Sequence, residues 1–136
     1  MRLITFVLAT LCALTAAAQT AGTDALVRAG TWLVTPQGNA GASVSYQLCF
    51  RTGSVDDIKL LLPAITPDAS CLQPQIELAP GLLVWRLACP ARSIQADARY
   101  ALAAESIDGA IDIVQGSPAV RSTQTIKARL TGVCAS

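Results

Sequence analysis

Four cysteines constrain this chain more than any other feature. They are Cys49, Cys71, Cys89 and Cys134, and they follow an N-terminal segment that reads as an export signal. Met1-Arg2 gives that segment a positive start, Leu3 to Leu14 is almost uninterruptedly apolar, and Ala16-Ala17-Ala18 offers a small-x-small cleavage pattern. The apolar run is too short to span about 30 Å of hydrocarbon. The expected organisation is a signal peptide over 1–18, a loose leader over 19–29 and one β domain over 30–136. Cutting near Ala18 removes the fifth cysteine, Cys12. An even number of cysteines in a small exported domain reads as two disulfides, in a periplasmic or secreted protein. Four cysteines allow three pairings, and spacing alone does not choose among them. Zinc would need a close C-x-x-C pair or a histidine, and the sequence has neither.

The stretch between two of the cysteines suggests one pairing. Cys71 and Cys89 stand at equal distances from Pro80, with Ala79-Pro80-Gly81 as the turn of a hairpin. If Cys71 lies opposite Cys89, then Leu72, Ile76, Leu78, Leu82 and Val84 share one apolar face and the disulfide locks the register. Cys49 then pairs with Cys134. A tight two-residue loop would break the symmetric register, and Pro-Gly fits one poorly. Pro74 marks the first strand as an edge or a bulge.

Other segments read as short strands. Thr31 to Thr35 is β-branched and carries Trp32, Pro36 to Gly41 reads as a turn, and Ser43 to Phe50 alternates. A short helix is expected after Ser54, with Asp57 closing a capping-box-like start. Its apolar face is Val55, Ile58, Leu61 and Leu62, and Pro63 stops it. Asp108-Gly109 signals a second hairpin turn between strands near 99–105 and 110–115. The last strand alternates from Val120 to Thr131, with Arg121, Lys127 and Arg129 on its wet face. The fold expected is mainly β: a curled antiparallel sheet or partly closed β-barrel with one short helix, braced by two disulfides.

The landmarks Gly30-Thr31-Trp32, Cys49-Phe50-Arg51-Thr52, Cys71, Trp85 to Cys89 and Gly132-Val133-Cys134 come in an order that resembles a family of small bacterial periplasmic proteins, catalogued as domain of unknown function 3617. The resemblance covers about Gly30 to Cys134. It implies an exported, disulfide-paired, strand-rich domain and brings no activity, substrate or catalytic residue. This chain departs from it in being apolar and poor in lysine.

Composition narrows the function classes. The chain has no histidine, which removes imidazole bases and the Ser-His and Cys-His nucleophile pairs. Loss of Arg2 leaves nine basic and nine acidic residues, so the charge balance points away from a nucleic-acid partner. No cofactor is implied, and no stable membrane insertion after signal cleavage. Asp56 and Asp57 suit a helix start better than paired acid–base work. Glu105, Asp108 and Asp112 read as solubility and turn residues. Trp32 and Trp85 are weighed as an aromatic wall against plain burial. Arg86, Arg121, Lys127 and Arg129 are weighed as an anion grip against a solvated strand face. The expectation is a non-enzymatic interaction module whose partner is a periplasmic protein or a small apolar ligand. A structural or envelope-stress component is the alternative, and a carboxylate-dependent hydrolase the remoter one.

Overall fold

The computed structural model describes residues 25–38, 44–65 and 67–136, so the expected signal peptide lies outside the described residues. Seven strands form one antiparallel sheet: β1 (Gly30–Gly38), β2 (Tyr46–Phe50), β3 (Gln75–Ala79), β4 (Leu82–Cys89), β5 (Ile94–Ala103), β6 (Ser106–Gln115) and β7 (Val120–Gly132). Their spatial order is β2-β1-β7-β6-β5-β4-β3, so β2 and β3 are the edges and the sheet is not closed. A single helical turn, α1 (Val55–Ile58), runs into a 3₁₀ turn over Lys59–Leu61. The expected mainly-β fold is therefore present, as an unclosed sheet with one short helix and two disulfides.

The sheet is curled. Burial pushes the Tyr100 phenol well above its usual range, and Tyr46 adds a smaller push in the same direction. Tyr46 lies on β2 and Tyr100 on β5, four strands apart, which in a flat sheet would be about 19 Å. Buried side chains from both ends of the sheet join one core cluster, so the sheet bends and one face turns inward. That face carries Trp32, Val34 and Phe50 from one end and Leu83, Trp85 and Leu87 from the other, all buried. The helical turn covers it through Ile58 and Leu61, and Tyr100 donates its hydroxyl proton to the Leu61 carbonyl at 2.8 Å. Two turns of helix are marginal alone, so this packing is what holds them.

Several expected turns take other shapes. Asp108 and Gly109 lie inside β6, and the hairpin turn is Ala104-Glu105. Gly109 sits opposite Tyr100, and a Cβ there would come within 2.0 Å of the tyrosine ring. The glycine serves the ring, not a turn. Pro36, expected in a turn, continues β1 where that strand pairs only with β7. A proline is tolerated there because no second neighbour needs its missing N–H. Residues 25–29, expected to end a loose leader, belong to the fold: Val27 is buried, and the Leu26 and Val27 amides donate to the Gly53 carbonyl.

The β3–β4 hairpin corrects the expected register. Its loop is the two-residue Pro80-Gly81, with Gly81 at φ 72°, and Ala79 faces Leu82. Ile76 is thus opposite Trp85 and Leu78 opposite Leu83, so the inward residues of β4 are Leu83, Trp85, Leu87 and Cys89. Leu82 and Val84 turn outward. The one-residue offset is absorbed at Gln73-Pro74, just before β3, where the Leu72 amide donates to the Ala88 carbonyl. Cys71 meets Cys89 all the same.

Candidate functional site

Both disulfides lie at the edges of the sheet. Cys71 bonds to Cys89 and so ties the approach to β3 onto β4. Cys49 of β2 bonds to Cys134 in the tail that follows β7. Because β1 lies between β2 and β7, that tail must cross β1, and the Thr31 hydroxyl holds it by donating to the Val133 carbonyl at 2.7 Å. Such bonds form and persist in oxidising compartments, which places the chain outside a reducing cytoplasm.

The two edges differ in how their free backbone is guarded. β3 is five residues long, flanked by Pro74 and Pro80, and carries Glu77 in a 2.8 Å ion pair with Arg86. Both edges are short, but proline and charge, two further protections of an edge strand, are found at β3. β2 and the two residues before it read Val44-Ser45-Tyr46-Gln47-Leu48-Cys49-Phe50, with no charge, glycine or proline. Val44 is 76% and Tyr46 40% exposed, whereas Phe50 is buried against Trp32 with ring centroids 5.2 Å apart. One end of β2 is thus anchored in the core while the other presents an apolar side chain on every second residue.

The turn that follows β2 is held by Asp57. Its Oδ2 accepts from the backbone amides of Thr52 at 2.8 Å and Gly53 at 2.7 Å, and from the Thr52 hydroxyl at 2.9 Å. Burial pushes the Asp57 carboxyl up, but the hydrogen bonds from Thr52, Gly53 and Arg51 outweigh it and leave the group below its ordinary value. Ser54 stands at the helix N-cap without a side-chain capping bond, so the expected capping box is replaced by this tighter clasp one step upstream. Gly53, at φ 69°, is needed because a Cβ would meet the Val27 carbonyl at 1.9 Å.

The residues weighed as a binding surface do not come together. Trp32 is fully buried, its indole N–H donating to the Arg28 carbonyl at 3.0 Å. Trp85 is 5% exposed beneath the same core, so neither indole forms an exposed wall. Arg86 lies on β4, three strands from β7, and is matched by Glu77 and by Asp97 at 3.6 Å. Arg129 is matched by Asp108 at 2.9 Å. Among the described residues, Arg121 and Lys127 have no salt-bridge partner, but Asp97, Asp108 and Asp112 share their outer face through the register of β5 to β7. The face is of mixed sign rather than a basic stripe. Asp112 accepts from the Thr123 hydroxyl at 2.6 Å, and Glu105 pairs with Arg28 at the β5–β6 turn.

Among the described residues, the two roomiest clefts are peripheral. One of about 480 Å³ lies between the tail and the start of β1, lined by Gly30, Cys49, Phe50, Arg51 and Cys134 among others. Another of about 600 Å³ opens beside Arg92 and the β6–β7 loop. The inward face of the sheet is filled by its own side chains. The unguarded edge was readable in the sequence as a charge-free alternating run, but only the strand order makes it an edge. No family model matches this chain, and neither curated proteins nor solved structures give a match.

Proposed function

We propose that this chain is an exported, non-enzymatic interaction module that takes an extended segment of a partner protein along β2. The observation that carries the reading is the run 44–50, which holds no charge, glycine or proline and ends in the five-residue edge strand β2. Strand addition draws affinity from main-chain hydrogen bonds and specificity from alternate side chains. Val44, Tyr46 and Leu48 supply those alternate side chains, and the partner segment that fits is uncharged and apolar at every second residue. The filled inward face favours a protein partner over a small apolar ligand. The resemblance to small periplasmic proteins favours the periplasm over the extracellular medium.

The test is capture from a periplasmic extract with the mature chain and two variants. Tyr46→Lys places a charge on the β2 edge, and Leu78→Lys places one on β3. The reading expects a partner that is lost with Tyr46→Lys and kept with Leu78→Lys. A partner retained equally by both variants would remove β2 from the account.

A further inference from the structure

The two disulfides sit in different electrostatic surroundings. The 3₁₀ turn Pro90–Arg92 starts directly after Cys89. Side chains three residues apart eclipse in such a turn, so Arg92 returns over the sulfur. Its Nη2 lies 3.4 Å from the Cys89 Sγ and 3.5 Å from the Cys71 Sγ. Asp68 steadies the guanidinium with its Oδ2 at 3.5 Å from Nε, while its Oδ1 lies 3.7 Å from the Cys71 Sγ. The cation stands almost equally near both sulfurs, and only Cys71 also has the Asp68 carboxylate beside it, so of the two sulfurs Cys89 bears negative charge more readily. Access runs the other way: Cys71 is half-buried and Cys89 fully buried.

We propose that Cys71–Cys89 is a thiol–disulfide exchange site for small-molecule thiols, with Cys71 the attacked sulfur and Cys89 the leaving group. A thiolate attacks the Cys71 Sγ, the S–S bond breaks, and its electron pair goes to Cys89 as a thiolate held by Arg92. A second thiolate of the same class attacks the mixed disulfide on Cys71. The small molecule departs as its own disulfide, and Cys71 leaves as a thiolate that takes a proton from water. The two thiols are oxidised and the protein disulfide is reduced by two electrons. A leaving thiol with a neighbouring cation departs faster.

Access alone predicts the opposite order, because Cys49 is the exposed sulfur of the other bond. The native oxidised chain is treated with 2-mercaptoethanol, quenched by alkylation and read by peptide mass mapping. Cys71–Cys89 is expected to open first, with the thiol adduct on Cys71. Arg92→Gln should slow that opening by roughly three- to tenfold, the scale on which exchange follows thiol pKa, and Arg92→Lys should restore most of it. The rate at Cys49–Cys134 should be unchanged in both variants. Opening of Cys49–Cys134 first, an adduct on Cys89, or an Arg92→Gln rate equal to that of the unaltered chain would each overturn the proposal. If Arg92→Gln unfolds the chain, both bonds open faster together, and the order and adduct position in the unaltered chain decide.

Discussion

The two edges of the sheet face one problem and meet it differently. β3 is short, bounded by prolines and charged, and a disulfide closing 18 residues pins its approach. β2 is just as short but carries neither proline nor charge, and it is held at its far end by Phe50 in the core and by a disulfide that spans 85 residues. An edge held firmly but left unguarded is suited to being paired by something else, whereas β3 is built to stay at the boundary. Firm attachment and edge protection are thus separate properties, and this molecule divides them between its two ends.

The largest expected effect separates the two attachments. Loop-closure entropy grows with the length closed, so removing Cys49–Cys134 should destabilise the chain by about 4 to 5 kcal/mol, against about 3 kcal/mol for Cys71–Cys89. Paired Cys→Ser replacements at each bond, followed by denaturant unfolding, measure both. Equal losses, or the reverse order, would break the contrast by showing that β2 is held mainly by packing.

How far this arrangement was legible in the sequence depends on the range of the interaction. Alternation marked β2 and β7, and the mirror placement of Cys71 and Cys89 suggested the pairing now seen. Local turn propensity failed where a distant side chain had the stronger claim. Asp108-Gly109 has the composition of a turn, but Tyr100 from the neighbouring strand needs the space over Gly109. Trp32 and Trp85 could have lined a cleft or a core, and composition cannot tell these apart. The register of β3 against β4 depended on a single residue of loop length, which reassigned Leu82 and Val84 to the outer face. Strand order is the least local property of all: nothing within residues 44–50 says that β1 has its other neighbour in β7.

Acidic clasps beside the two edges give the next effect, which is smaller. Asp57 holds the turn leaving β2, and Asp68 holds the turn before β3 by accepting from the Ser70 amide at 2.8 Å and from its hydroxyl. Asp57 has a folded pKa below its ordinary value of 3.8. Its contribution is therefore present above that value and is lost as pH falls below it, through the folded pKa. Asp57→Asn should cost about 1 kcal/mol near neutral pH, the scale of losing a helix-end clasp. It should also flatten the stability profile below about pH 4 relative to the unaltered chain. The check is urea unfolding from pH 6 down to pH 2. An unchanged slope in that window would show that the turn after β2 is fixed by Gly53 and the packing of Val27 alone.

The smallest expected effect bears most directly on guarding. Glu77 and Arg86 form an exposed pair, with side chains 63% and 48% accessible, so their attraction is largely screened by water and salt. Arg86 also keeps Asp97 as a second partner at 3.6 Å. Glu77→Gln should then change stability by no more than about 1 kcal/mol. What the charge does for β3 is keep a second strand from pairing along its free side, because burying Glu77 against another backbone would strand a carboxylate away from water. Neutralising it should therefore raise self-association at high protein concentration while unfolding midpoints stay nearly fixed, which sedimentation and denaturation measured side by side would show. A marked fall in stability without association would mean that Glu77 supports β3 from within, and that the two edges differ in attachment alone.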